Sequence, residues 1–176
     1  MEKKHVMIGD IDCGSDRLFL IAGPCVIEEE SLMMRTAERL KGITQRLGVP
    51  LIFKSSFSKD NRSSLEYYQG PGLEAGLRML EKIKRQFELP ILTDIHYPYQ
   101  AEPAAEVCDV IQIPAYLCMQ SELVVEAAKT GAVVELVADR DARRALGLRG
   151  QRVIEAGRGA TERNYALLAD FTRVRP

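Results

Sequence analysis

Six short apolar runs alternate with stretches of helical periodicity along this chain, and this alternation constrains the fold more than any other feature. Each run is rich in Val, Ile and Leu and lies next to Gly or Pro, which is typical of strands buried in a parallel sheet. Repeated strand–helix units favour a right-handed parallel α/β arrangement, preceded here by a short β segment at 6–11. The six predicted strands are 18–22, 50–54, 90–94, 110–114, 132–137 and 152–156.

Apolar residues recur at helical spacing between these runs. Gly48 follows the first such stretch, at the position where a left-handed residue commonly ends a helix. Gly70, Pro71 and Gly72 predict a turn directly before the second helix. The predicted helices are 28–47, 73–87, 100–107, 120–129, 139–146 and 161–171.

Composition narrows the class of protein. The 176 residues, 46% of them hydrophobic, are enough for one cored domain, so we predict a single domain over 1–176. A formal charge of −1 gives no electrostatic reason to expect a nucleic-acid partner, and no apolar stretch approaches the roughly 20 residues that span a bilayer. The four cysteines have no paired spacing and the N-terminus lacks a signal-peptide core, so we expect free thiols in a cytoplasmic protein.

The most chemically dense segment, 54–64, follows the second predicted strand. It contains three cations, Lys54, Lys59 and Arg62, together with Asn61 and several hydroxyls. Because active sites of α/β proteins collect at the carboxyl ends of parallel strands, this loop is a candidate phosphate site in which Arg62 offers a bidentate fork. A solvated basic loop capped by Ser and Asn side chains explains the same residues, and the spacing alone does not decide between the two.

Two other residues at strand ends each have a structural and a functional interpretation. Cys25, after Gly23 and Pro24, is either a small buried hydrophobe or a metal-ligating thiolate. His96, two residues after Asp94, is either a capped loop residue or a second polar group that lines the predicted site at the carboxyl ends of the strands. The chain has only one other histidine, so a His-rich metal site is not expected.

Taken together, the motifs resemble the 3-deoxy-D-manno-octulosonate 8-phosphate synthase family, and specifically its metal-dependent branch. The resemblance runs from residue 6 to about residue 134, and so many segments matched in order are strongly specific. The related aldol-type synthases of the aromatic pathway share the barrel, but the NRSS segment favours the octulosonate enzyme. The matching segments are IAGPC at 21–25, FKSSF at 53–57, KDNRSS at 59–64, GPGLE at 70–74, TDIH at 93–96, QIPA at 112–115 and KTG at 129–131.

The resemblance implies a (β/α)8 barrel, a tetramer in the family, and condensation of phosphoenolpyruvate with arabinose 5-phosphate during lipopolysaccharide precursor synthesis. It implies catalytic roles for Lys54, Lys59, Asn61 and Asp94, with both lysines on phosphoenolpyruvate and Asp94 on the sugar side. Cys25 matches the metal-ligating thiol of the branch. Arg62 and Ser63, together with Asn61, match residues that hold arabinose 5-phosphate, and Ser64 is a further implied substrate-binding residue. Gln112, Ala115 and Arg158 match residues that contact phosphoenolpyruvate.

Several positions depart from the family pattern. Met119 stands where the family has an arginine that reaches a sugar phosphate, and Val137 stands where a phosphoenolpyruvate-contacting lysine is expected. A full barrel needs about 250 residues, so we predict an incomplete barrel of about six β/α units in which most family metal ligands have no counterpart. Tight binding of a divalent metal is therefore not expected. The alternative to an active synthase is an impaired or inactive family member that binds phosphosugar or phosphoenolpyruvate, or serves in assembly.

Overall fold

The computed structural model describes residues 5–64 and 66–133 of the chain. The strands are β1 (Met7–Ile8), β2 (Ile11–Asp12), β3 (Leu20–Ala22), β4 (Leu51–Lys54), β5 (Ile91–Asp94) and β6 (Val110–Gln112). The helices are α1 (Glu30–Leu47), α2 (Leu73–Phe87), α3 (Ala101–Val107) and α4 (Ser121–Lys129), with 3₁₀ turns at Pro98–Gln100 and Ala115–Leu117.

Strands β3, β4, β5 and β6 form one parallel sheet in the same order as they occur in the sequence. Each pair is joined by a connection that contains a helix, and the helices α1 to α4 pack against one another in chain order. Val133 forms a further parallel bridge to Val110, where the next predicted strand begins. This winding is that of consecutive β/α units in a barrel, and it brings all four strand carboxyl ends to one side of the sheet.

Helix α2 shows how the sequence produces this packing. Leu77, Leu80, Ile83 and Phe87 are spaced three or four residues apart and all are buried, so they form one apolar face against the sheet. Helix α1 ends at Gly48, whose φ of 64° is the left-handed conformation predicted for that glycine. Both helices therefore follow from periodicity and end signals that are visible in the sequence.

The short β segment at the N-terminus is an antiparallel hairpin of β1 and β2. Its Ile8 and Ile11 are buried against Ile52, Leu92 and Val110 of the parallel sheet. The hairpin thus covers apolar side chains of three strands from the side opposite the polar loops.

The first four predicted strands and helices are confirmed with small shifts in their ends. Strand β6 stops at Gln112, two residues before its predicted end; Pro114, which has no N–H to continue the ladder, stands at that predicted end. The segment before α3 is a separate 3₁₀ turn that begins at Pro98. Among the described residues no helix is long and apolar enough to cross a membrane. The predicted elements at 139–146, 152–156 and 161–171 lie outside the described residues, as does the predicted strand beyond Val133.

Candidate functional site

The carboxyl ends of β4 and β5 bring a lysine and an aspartate together. Lys54 is the last residue of β4 and Asp94 is the last residue of β5. The Lys54 Nζ lies 3.5 Å from Asp94 Oδ1 and 3.3 Å from Ser56 Oγ. The Ser56 hydroxyl also donates to Asp94 Oδ1. Lys54 and Asp94 therefore lie at the same rim of the sheet, the one formed by the carboxyl ends of its strands.

Buried hydroxyls hold the neighbouring backbone in place. Ser55 donates from Oγ to the Pro24 carbonyl at 2.8 Å, and Thr93 donates to the Ser55 carbonyl at 2.9 Å. The buried hydroxyls of Ser55 and Thr93 thus both have hydrogen-bond partners within the protein, as buried polar groups require. These bonds tie the ends of β3, β4 and β5 together beneath the Lys54–Asp94 pair.

His96 belongs to the same polar cluster. It follows Asp94 by two residues, and because extended backbone alternates its side chains, both project to one side. The imidazole is buried, and its Nε2 lies 3.2 Å from Asp94 Oδ2. Its backbone N–H donates to Gln100 Oε1 at 2.8 Å, which fixes the turn after β5. The structure therefore favours His96 as a second polar group at this mouth over a merely capped loop residue.

Opposing effects act on the Asp94 carboxyl. Burial by itself raises the pKa of a carboxyl group, since it disfavours the charged form. The hydrogen bonds from His96 and Ser56, together with the Lys54 charge, outweigh that effect and hold the pKa of Asp94 below its usual value. Asp94 is consequently a carboxylate at neutral pH, and the cluster contains a fixed negative charge beside the Lys54 ammonium.

The segment after β4 folds into a loop that is braced by its own polar groups. Asp60 Oδ1 accepts hydrogen bonds from Ser58 Oγ at 3.1 Å and from Gln69 Nε2 at 3.3 Å. The Lys59 N–H donates to the Gln69 carbonyl at 2.7 Å, and Arg62 Nη1 donates to the Lys59 carbonyl at 3.1 Å. The loop is therefore ordered by internal contacts.

Within this loop the predicted sugar-phosphate residues differ in how their side chains are used. Asn61 and Ser63 are exposed, whereas the Ser64 hydroxyl accepts a hydrogen bond from the Glu66 N–H at 3.2 Å. The Arg62 Nε is buried and has no hydrogen-bond partner among residues 5–64 and 66–133. Ser64 is thus used as a local cap, as the structural interpretation of this loop expects, while Arg62 retains an unused donor.

The close approach of two strand ends explains the Gly-Pro-Cys sequence after β3. A Cβ at Gly23 would overlap the carbonyl oxygen of Lys54, so only glycine fits there. The Ser56 N–H donates to the Cys25 carbonyl at 3.4 Å, which puts Cys25 on the Lys54 side of the sheet with its side chain exposed. Cys25 is therefore accessible, and it is not the buried hydrophobe of the structural interpretation.

The end of β6 adds further groups to the same side. Gln112 pairs in register with Asp94, and its carbonyl accepts from the Ile95 N–H at 3.1 Å. Ala115 begins the following 3₁₀ turn and is exposed. In that turn, partial burial raises the pKa of Tyr116, and the nearby charges of Asp60 and Asp94 raise it further. The last predicted site residue, Arg158, lies outside the described residues.

The sequence prediction missed Ser56 and Asp60 as members of this cluster and left His96 undecided. The sequence does contain a signal for Ser56 and His96. Each lies two residues after the last residue of a strand, Lys54 or Asp94, and in extended backbone such residues project to the same side. Asp60 carries no such signal. Its carboxylate reaches the cluster only through the path of the loop, with Oδ2 3.9 Å from His96 Nδ1.

The parallel β/α units with polar loops on one side agree with a family comparison. The sequence profile described as the DAHP synthetase I family matches residues 2–145. The chain belongs to the DAHP synthetase I family. Members of this family adopt the (β/α)8 barrel, and the four described β/α units are consecutive units of that architecture.

The chain is also similar to several curated proteins that are named 2-dehydro-3-deoxyphosphooctonate aldolase. It is 54% identical over 134 residues to a 2-dehydro-3-deoxyphosphooctonate aldolase of Trichlorobacter lovleyi, and 52% identical over 134 residues to that of Geobacter metallireducens. It is 49% identical over 137 residues to the protein of the same name from Pseudomonas putida. These matches cover 76–77% of this chain and 49% of each relative, so the chain spans about half the length of the relatives it matches.

The family resemblance implies a divalent metal on Cys25, and the described residues do not supply a complete centre for one. No group of three or more His, Cys, Asp or Glu side chains in the described part of the chain is arranged to hold a metal ion. The exposed Cys25 provides one thiolate, whereas zinc and similar ions take about four ligands.

Proposed function

We propose that this chain binds phosphoenolpyruvate and arabinose 5-phosphate at the rim formed by the ends of β4, β5 and β6. It condenses them, with consumption of one water molecule, to an octulosonate 8-phosphate and inorganic phosphate. The observation that carries the proposal is the buried Lys54–Asp94–His96 cluster, which lies beside a loop containing Lys59 and Arg62. The relatives' name supports it, since a 2-dehydro-3-deoxyphosphooctonate is an eight-carbon acid phosphate. A three-carbon acid and a five-carbon sugar phosphate combine to that skeleton.

Phosphoenolpyruvate carries a carboxylate and a phosphate, and the proposed site meets both with cations. We assign Lys54, Lys59 and Arg158 to this substrate, with Gln112 and Ala115 as its polar and backbone partners. Lys54 is supported most directly, because its ammonium is half-buried and fixed by Ser56 and Asp94. Breaking the bond between carbon and the departing phosphate oxygen builds negative charge, which fixed cations in a site of low water content stabilise strongly.

The sugar phosphate is assigned to the loop after β4. We propose that Arg62 binds its phosphate and that Asn61, Ser63 and Ser64 contribute further hydrogen bonds. The unused buried Nε of Arg62 and the exposure of Asn61 and Ser63 support this assignment. Asp94, held ionised by its neighbours, is proposed to accept hydrogen bonds from the sugar hydroxyls on the inner side of the loop.

A second candidate function is ligand binding without turnover. Met119, which stands where the resemblance implies an arginine directed at a sugar phosphate, is 91% exposed and brings no charge. A site that keeps Lys54, Lys59 and Arg62 but lacks that cation would still bind phosphorylated ligands. In that case the chain would serve as a phosphoenolpyruvate-binding or phosphosugar-binding protein, or as an assembly subunit.

We further propose that the chain forms one synthase domain over 1–176, acts in lipopolysaccharide precursor synthesis in the cytoplasm, and assembles with copies of itself. Support for a reducing compartment comes from the cysteines, because Cys13, Cys25, Cys108 and Cys118 are all free. The partners we propose are the two phosphorylated small molecules and further copies of the chain.

The test combines binding and turnover measurements on the 176-residue chain and its Lys54→Ala variant. Isothermal titration with phosphoenolpyruvate should show binding that Lys54→Ala weakens by about tenfold or more, the effect of losing one charge-assisted hydrogen bond. Phosphate release from phosphoenolpyruvate plus arabinose 5-phosphate then separates the two candidates. Lys54-dependent release supports the synthase, and binding without release supports the second function.

The matched control is Lys82→Ala, which removes an exposed lysine paired with Glu30 on the helix surface. It should bind phosphoenolpyruvate as the unmodified chain does. If the unmodified chain binds neither ligand, or if Lys54→Ala and Lys82→Ala behave alike, both functions are wrong.

A further inference from the structure

His96 lies between two carboxylates that belong to different segments. Its Nε2 is 3.2 Å from Asp94 Oδ2 at the end of β5, and its Nδ1 is 3.9 Å from Asp60 Oδ2 in the loop after β4. The side chain is only 4% exposed, and Nδ1 is a buried nitrogen without a hydrogen-bond partner in the part of the chain that is described. A buried polar atom left in this state is costly, so its surroundings point to a second arrangement in which it is paired.

Asp60 is placed to provide that partner. Its Oδ1 already accepts from Ser58 and Gln69, which fixes the carboxylate to the loop. The other oxygen, Oδ2, faces His96. A bond from His96 to Oδ2 would connect the loop to Asp94 through one imidazole.

The protonation state of the imidazole decides whether this bond can form. In a neutral ring that donates from Nε2 to Asp94, Nδ1 carries a lone pair, and a lone pair facing a carboxylate gives no hydrogen bond. In the doubly protonated ring both nitrogens donate, one to each aspartate. The proton also balances the charge of the cluster, because Lys54 and His96 then face Asp60 and Asp94.

We propose that His96 is a positioning residue whose second proton joins Asp60 to Asp94 and thereby fastens the loop 58–64 to the end of β5. The titratable groups around it are Asp94 on β5, Lys54 on β4, Asp60 in the loop and Tyr116 in the turn after β6. Closing the gap of 3.9 Å to a hydrogen bond moves the loop by about 1 Å toward the strand. The consequence for ligand binding rests on the proposed function, since it assumes that this loop holds the sugar phosphate.

The direct test is nuclear magnetic resonance of the full chain labelled with ¹⁵N-histidine. The chain has two histidines, so His5→Gln assigns the spectrum, and His5 with its Asp12 partner is an internal control. In spectra recorded over a series of pH values, we expect a His96 Nδ1 proton that is protected from exchange when the ring is doubly protonated. Asp60→Ala should abolish that signal, whereas Asp12→Ala should change only His5. A His96 spectrum that is the same in Asp60→Ala and the unmodified chain would overturn the proposal.

Ligand titrations give the second measurement. Asp60→Ala and His96→Gln should each weaken arabinose 5-phosphate binding by about tenfold, and should weaken phosphoenolpyruvate binding less, because Lys59 is the one loop residue assigned to that ligand. The double variant should be no weaker than either single one, because both remove the same link. His96→Asn, whose amide keeps a donor near the Nδ1 position, should restore most of the affinity. Additive losses, or equal losses for both ligands, contradict the proposal.

The two measurements separate failure of this inference from failure of the proposed function. If neither ligand binds but Asp60→Ala abolishes the His96 Nδ1 signal, the proposed function is wrong and the link stands. If both ligands bind, phosphoenolpyruvate through Lys54, and the His96 spectrum does not change in Asp60→Ala, the link is wrong and the function stands.

Discussion

Lysines at the two ends of the parallel sheet have opposite surroundings. At the carboxyl end, the Lys54 ammonium faces the side-chain oxygens of Ser56 and Asp94. At the amino end, Lys41 of α1 donates to the Phe87 carbonyl at 2.6 Å, and Lys84 of α2 donates to the Val107 carbonyl at 2.9 Å. Phe87 and Val107 are the last residues of α2 and α3, so each of these lysines caps the carboxyl end of the following helix.

This difference separates a chemical end of the molecule from a structural end. Carbonyls in the last turn of a helix lack intrahelical partners and carry partial negative charge, so a lysine that binds them stabilises the fold. An open cavity of about 720 Å³ lies at the amino end beside Lys41, Lys84 and Asp109. The ammonium groups of Lys41 and Lys84 beside this cavity already donate hydrogen bonds to backbone carbonyls. The chemistry is therefore assigned to the smaller cluster at the other end.

The largest effects on the free energy of unfolding should come from removing an aspartate, either Asp94 at the carboxyl end of the sheet or Asp109 at the amino end. Asp94→Ala leaves Lys54 and the buried His96 without their carboxylate, which should lower the free energy of unfolding by about 3 kcal/mol. Asp109→Ala removes acceptors for Lys84 Nζ and the Ile91 N–H, but at a half-exposed site, so a loss of about 1–2 kcal/mol is expected. Urea denaturation measures both. If the two variants lose equal free energy of unfolding, the greater burial of Asp94 has no energetic effect and the expectation is wrong.

Removing the amino-end lysines should have a smaller effect on stability and none on binding. Lys41→Met and Lys84→Met keep the aliphatic stem and lose one hydrogen bond to a carbonyl, for a cost of about 1 kcal/mol each. Phosphoenolpyruvate affinity, measured by titration, should not change. If Lys84→Met weakens binding as much as Lys54→Ala does, the two ends do not differ in function.

The pH dependence of stability should reveal the Asp94 cluster. Because the pKa of Asp94 is lower in the folded chain than in the unfolded one, the carboxylate stabilises the fold at pH values above its usual pKa. That contribution is lost as the pH falls through the folded-state pKa. Asp94→Asn should therefore be less stable at neutral pH and show a flatter stability curve below about pH 4. Glu38→Gln, at an exposed position of α1, is the control and should keep the slope of the unmodified chain.

The smallest change in stability is expected from alkylating the thiol at the carboxyl end. Cys25 is exposed and should react with iodoacetamide in the folded chain, with little change in the denaturation midpoint. Cys108, directly after α3, is buried, and its pKa is raised to about 12; burial is the main cause, Lys84 opposes the rise and Asp109 adds to it. It should react only on unfolding. Peptide mapping with Cys25→Ser as control checks the assignment, and rapid labelling of Cys108 in the native chain would contradict it.

Local sequence signals account for most of the described fold. Helix α2 was predictable to the residue because its apolar spacing and the Gly-Pro-Gly turn before it agree. Strand positions were predictable from apolar runs, but β3 begins at Leu20 although the run starts at residue 18. Leu18 is 82% exposed, so its hydrophobicity misled the prediction. The start of a short strand is set by its pairing partner, and a partner 31 residues away is not visible locally.

The site was predictable in outline but not in its connections. The residues after β4 and β5 were expected to share a rim because parallel strands end together, and Lys54 and Asp94 do so. The sequence could not show that the Asp60 carboxylate turns inward to His96, because that depends on the three-dimensional path of the loop. The proximity of Tyr116 to Asp60 and Asp94 depends likewise on the turn after β6.

In any combinatorial library built on this chain, Gly23 is a position that determines whether changes elsewhere can be interpreted. Even alanine there would push against the Lys54 carbonyl and displace the end of β4 together with the ammonium group. An activity screen could then not distinguish a variant in which Lys54 is displaced from one in which Lys54 is itself substituted. Randomisation of the rim should hold Gly23 constant and vary the residues whose side chains already face solvent, beginning with Met119.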